Sequence, residues 1–99
     1  GELWRDSASH ANTMATRLRA ALVDAAATGR LSFTQATESN AVFARLPFAA
    51  AEALRARFGF YDWAGPFTDG TVEVRWMCSW DTTTDDVDAF AEAITAALA

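Results

Sequence analysis

Apolar and polar residues alternate most regularly between residues 71 and 80. Val72, Val74, Trp76, Cys78 and Trp80 fall on one side of an extended chain, and Thr71, Glu73, Arg75, Met77 and Ser79 on the other. This period of two predicts a strand with its first set toward a core and Arg75 pointing away from it. A different period governs the start of the chain. Trp4, Ala8, Ala11, Ala15, Leu18, Leu22 and Ala26 recur at steps of three and four, which predicts a helix over residues 3–27 stopped by Gly29. Residues 31–34 fit a short edge strand and residues 35–40 a polar loop. Residues 41–46 fit a second strand with Val42, Ala44 and Leu46 on one face.

Pro47 then opens a helix, since the missing N–H of proline does no harm in a first turn. Ala51, Leu54 and Phe58 form its apolar stripe, and Gly59 ends it. Residues 60–63 predict a third strand, and the turn-rich residues 64–70 lead into the Arg75 strand. The last helix starts near Thr83. Thr82 with Asp85, or Thr83 with Asp86, offers a capping box, and Val87, Phe90, Ala91, Ile94 and Leu98 form the buried face. The order helix, strand, strand, helix, strand, strand, helix predicts an α+β two-layer sandwich. Its sheet is mainly antiparallel, of three to four strands, and covered by helices on one face only.

Composition narrows the class. Residues 1–99 form one domain, 52% hydrophobic and 21% charged, which is the balance of a folded globule. The net charge of −5, with no Lys/Arg cluster, argues against nucleic acid. No apolar run reaches the length of a membrane span, so the expectation is a soluble domain with no membrane partner. The single cysteine, Cys78, excludes an internal disulfide and fits a reducing cytoplasm. Its place in the alternation makes it a small buried thiol.

Few residues invite chemistry. Arg75, on a rigid strand, carries a planar fork of donors matched to a carboxylate; the plainer alternative is a cross-strand ion pair or a solvated side chain. His10 is the one imidazole, but its position at the edge of the helical stripe reads as a structural boundary residue. Asp81, Asp85, Asp86 and Asp88 lack the glycine and final glutamate of a calcium loop, so capping and solvation account for them. With one His and one Cys, no metal cluster is expected. Trp4, Trp63, Trp76 and Trp80 are read as core or interface residues, Trp76 and Trp80 sharing the core face of one strand.

The run VEVRWMCSWDTTTDDVDAFAEAI, preceded by SASHANTMATRLRAAL and ESNAVFARLPFAAAEALRARFGFYDWAG, resembles the C-terminal strand, turn and helix of the threonine aldolase and beta-eliminating lyase family. The resemblance covers nearly the whole chain and points to the small domain of bacterial low-specificity L-threonine aldolases, within the aminotransferase-like superfamily. It implies pyridoxal phosphate in the intact enzyme, cleavage of threonine to glycine and acetaldehyde, and a homo-oligomer. It also implies that Arg75 binds the α-carboxylate of the amino-acid substrate. Enzymes of this class hold the cofactor as a Schiff base on a lysine amine. All eight basic residues here are arginine, and arginine does not supply that amine. The expected reading is therefore a C-terminal domain fragment whose partner, the N-terminal large domain, carries the cofactor. The start at Gly1, without Met and already on helical spacing, agrees with this. No cofactor, metal or catalytic residue is expected in this chain, and none of the activity when it stands alone. The alternatives are a free-standing α+β binding or regulatory module, and the small domain of another pyridoxal-phosphate amino-acid lyase or aminotransferase.

Overall fold

The computed structural model describes the backbone of residues 2–99 and the side chains of residues 6–99. The elements in chain order are α1 (Glu2–Ala21), α2 (Val23–Ala27), β1 (Ser32–Phe33), β2 (Ala41–Pro47), α3 (Phe48–Arg55), β3 (Tyr61–Ala64), β4 (Thr71–Met77) and α4 (Thr84–Ala97). The strands form one antiparallel sheet in the order β1-β2-β4-β3. The α+β sandwich expected from the alternation is the fold observed.

Register explains which face is buried. Val42 pairs with Trp76, Ala44 with Val74 and Leu46 with Val72. All six side chains turn to the helices and are buried. On that face α1 lies against β2, and α3 against β2 and β4. α4 packs on α1 and α3. Leu18, Leu22, Leu54, Val87 and Ile94 close one continuous apolar core. No polar or charged residue is buried among the described residues, so burial of apolar surface is the main force holding the layers together.

Several boundaries differ from the pattern-based expectation. The long first helix is interrupted at Leu22, whose φ of −100° and ψ of 5° tilt the last turn. The tilt keeps Leu22 and Ala25 both in the core, while Ala8 is exposed. Gly29, at φ +84°, then ends the segment as expected, in a conformation that suits a residue without Cβ. Pro47 closes β2 and caps α3 instead of occupying its first turn, and α3 stops at Arg55. The expected placement of Trp4 on the buried stripe lies outside the described side chains.

The largest correction concerns Trp80. β4 ends at Met77, so the alternation does not carry on to Trp80, which is 72% exposed. Cys78 remains buried and its N–H still donates to the Asn40 carbonyl at 2.8 Å. Beyond it a turn takes over: the Thr82 N–H donates to the Ser79 carbonyl at 3.2 Å, and the Ser79 N–H donates to the Thr82 hydroxyl at 2.9 Å. α4 follows with the expected capping box. The Thr83 hydroxyl accepts from the Asp86 N–H, and the Asp86 carboxylate accepts from the Thr83 N–H, both at 3.0 Å.

Candidate functional site

The sheet face away from the helices carries the second half of each alternation. On β4 these residues are Glu73, Arg75 and Met77, and register sets Phe43 of β2 and Tyr61 of β3 on either side of Arg75. Trp63, two residues along β3 from Tyr61, falls on the same patch by strand alternation, at the point where the register shifts between Asp62 and Ala64. The Trp63 ring stands edge-on to Phe43, centroids 5.2 Å apart. The Arg75 guanidinium lies 5.0 Å from the Trp63 ring centroid. Aromatic contact thus steadies the arginine while its N–H groups stay available.

A comparison with the other arginines shows what sets Arg75 apart. Arg45, on the same face, donates to the Thr71 hydroxyl at 2.7 Å and the Asp69 carboxylate at 2.8 Å. Arg17 grips both oxygens of Asp88 at 3.0 and 2.9 Å. Arg19 donates to the Gln35 carbonyl at 2.9 Å, Arg30 to the Leu98 carbonyl, and Arg55 to Glu52 and Asp62. Arg75 makes no hydrogen bond or ion pair among the described residues, and neither does Arg57. Glu73 would be the nearest acid in sequence, but its carboxylate accepts the Thr34 hydroxyl at 2.5 Å. The cross-strand ion pair open as an alternative for Arg75 is therefore not formed. A half-buried guanidinium with a steadied stem and a free fork is suited to two parallel hydrogen bonds to an incoming carboxylate.

The remaining candidates take structural places. His10 donates from Nε2 to the Thr82 carbonyl at 2.5 Å and ties α1 to the turn before α4. Asp86 caps α4, Asp88 pairs with Arg17, and Asp81 accepts the Ser79 hydroxyl. The Asp88 carboxyl is held below the usual carboxylate range, first by the hydrogen bond from Arg17 and then by its charge. Burial raises the Cys78 thiol above its ordinary value, so it is no ready nucleophile. No group of His, Cys, Asp and Glu among the described residues can hold a metal ion. No helix among them is long and apolar enough to cross a membrane.

No protein-family model matches the chain. Over 94 residues, 94% of its length, the chain is 42% identical to the low-specificity L-threonine aldolase of Pseudomonas aeruginosa, 25% of which it covers. Over that segment the chain is similar to a threonine aldolase. Its fold matches a solved structure of Leishmania major threonine aldolase with a TM-score of 0.77 and 30% identity. That match takes in 91% of this chain and 25% of that one. The chain thus spans about a quarter of the length of the threonine aldolases it matches. Sequence and fold agree over almost all of the domain that presents Arg75. Of the two aromatic residues that flank it, Trp63 was read from the sequence only as a core or interface residue and Phe43 was not singled out. Phe43 was nevertheless legible as the residue opposite Val42 and Ala44 in the strand alternation. The shift in register between Asp62 and Ala64 has no signal in the sequence.

Proposed function

We propose that this chain is the C-terminal small domain of a pyridoxal-phosphate-dependent lyase of the threonine aldolase type, and that Arg75 holds the α-carboxylate of its amino-acid substrate. The observation that carries this reading is the acceptor-free fork of Arg75 on an uncovered sheet face, in a chain related to threonine aldolases over 94% of its length. A two-point grip fixes the carboxylate plane and so limits rotation about Cα. That orients the bond to be cleaved at no further entropic cost in the transition state. With L-threonine the products are glycine and acetaldehyde.

The residues present do not suit covalent attachment of the cofactor, because the chain has no lysine, and no step of the reaction beyond carboxylate binding is assigned to it. The group is held by the rest of the enzyme, and the isolated domain is inactive. The sheet face supports the same division. Tyr61, Trp63 and Met77 are 79%, 51% and 57% exposed there, a surface for the large domain or a second subunit of a homo-oligomer to cover. The one buried cysteine accords with a cytoplasmic enzyme.

The test compares the 99-residue chain with the intact protein that contains it, each given pyridoxal phosphate and L-threonine. Glycine and acetaldehyde form with the intact protein only. Glycine release by the isolated domain, or none by the intact protein, overturns the reading.

A further inference from the structure

Arg75 has an acid within reach on its own strand that it does not meet. Glu73 stands two residues before it on the same face, about 7 Å away along an extended chain, and both side chains are half-buried and long enough to touch. The structure turns them in opposite directions across the sheet. The Arg75 guanidinium leans toward β3, where it lies 5.0 Å from the Trp63 ring centroid. The Glu73 carboxylate leans the other way, across β2, and accepts the Thr34 hydroxyl at 2.5 Å.

Thr34 is itself well fixed. Its N–H donates to the Phe43 carbonyl at 3.1 Å, which carries the β1–β2 pairing one residue further and sets Thr34 beside Phe43, the register partner of Arg75. The residue opposite Glu73 on β2 is Arg45, a ready counter-charge for it. Arg45 instead gives its donors to the Thr71 hydroxyl and the Asp69 carboxylate, at 2.7 and 2.8 Å. Among the described residues the Thr34 hydroxyl is therefore the one hydrogen-bond donor that reaches the Glu73 carboxylate. A carboxylate released beside an acceptor-free guanidinium is free to pair with it, and once paired it competes with any carboxylate arriving from solution.

Given the substrate role proposed for Arg75, we infer that Thr34 is a positioning residue: by holding Glu73 toward β1 it keeps the fork of Arg75 open for the carboxylate of the amino acid. Thr34 acts only through Glu73, and Glu73 is the built-in competitor that the hydroxyl restrains. Trp63 does the complementary work on the other side, drawing the guanidinium away from Glu73.

The experiment measures steady-state glycine release from L-threonine by the intact enzyme and its variants. Thr34→Val keeps the shape of the side chain and removes the hydroxyl. An exposed ion pair between Glu73 and Arg75 closes about two-thirds of the sites, so KM rises about threefold while kcat holds, because fewer molecules can bind and the bound complex is unaltered. Thr34→Ser retains the hydroxyl and keeps the parental KM. Glu73→Gln removes the competing charge, so adding Thr34→Val to it raises KM no further. An unmoved KM in Thr34→Val, or a rise that persists in full in the Glu73→Gln background, overturns the positioning role. Arg75→Ala, run alongside, tells that failure from a failure of the substrate role. If the substrate role holds, kcat/KM of Arg75→Ala falls about 10-fold or more whatever Thr34 does. Unchanged kinetics in Arg75→Ala overturn both.

Discussion

Replacing Arg75 by alanine separates a binding role from a structural one, because the two predict opposite pairs of results. In the fold, Arg75 touches the Trp63 ring and no acceptor among the described residues, so its removal leaves no carboxylate there without its counter-charge. The stability lost is that of a partly exposed cation–π contact, about 0.5 to 1 kcal/mol. On the proposed substrate role, the loss in catalysis is larger. A hydrogen bond to a charged group contributes about 1.5 to 3 kcal/mol. At about 1.36 kcal/mol per decade, that predicts a fall in kcat/KM for L-threonine of roughly 10- to 150-fold. Arg75→Lys keeps the charge without the planar fork and should fall between the two. The assay is steady-state glycine or acetaldehyde release by the intact enzyme, with urea unfolding run in parallel and cofactor content measured by absorbance. Cofactor content stays unchanged. Arg45→Ala is the contrast: its partners Thr71 and Asp69 make it a structural residue, so stability falls while kcat/KM holds. A kcat/KM for Arg75→Ala within about twofold of the parent, against the 10-fold minimum above, would refute the substrate role. So would an unfolding loss above about 2 kcal/mol, which no cation–π contact of this kind supplies.

Three further outcomes follow from the structure. Thr83→Ala removes the hydroxyl that accepts the Asp86 N–H, so urea unfolding should show a loss of about 0.5 to 2 kcal/mol, with Thr83→Ser restoring most of it. Asp88 has a folded pKa below the ordinary 3.8, owing first to the hydrogen bond from Arg17. The stability from that pairing is complete above the ordinary value and fades as pH falls through the lower folded one, so Asp88→Asn should flatten the acid limb of a scan of melting temperature against pH. Cys78 is buried with a raised thiol pKa and should react with a thiol reagent such as DTNB only as fast as the domain opens. Reaction in native buffer at the rate of a free thiol would contradict its placement in the core.

The sequence by itself determined the layers. Alternation in residues 41–46 and 71–77, helical spacing in the first and last segments, and the Thr83 to Asp86 cap are local patterns. Each follows from backbone geometry and the need to remove one face from water. The same alternation put Arg75 on the uncovered face and Cys78 in the core. Trp80 lay beyond its reach. A strand lasts only as long as its neighbours supply hydrogen bonds, and β2 pairs with β4 only through Met77; Asn40 adds two further bonds at Cys78, its carbonyl accepting the Cys78 N–H and its side-chain amide donating to the Cys78 carbonyl, before the turn takes over. The break at Leu22 likewise follows from α1 and α2 meeting a core already shaped by the sheet and α4. Only the tertiary structure decided that Arg75, unlike Arg17, Arg45 and Arg55, would have no acid of its own. Ion pairing depends on which side chains the folded chain brings within about 3 Å of one another. The register of β2 and β3 on β4 places Phe43, Tyr61 and Trp63 around Arg75, whose donors meet no acceptor among the described residues.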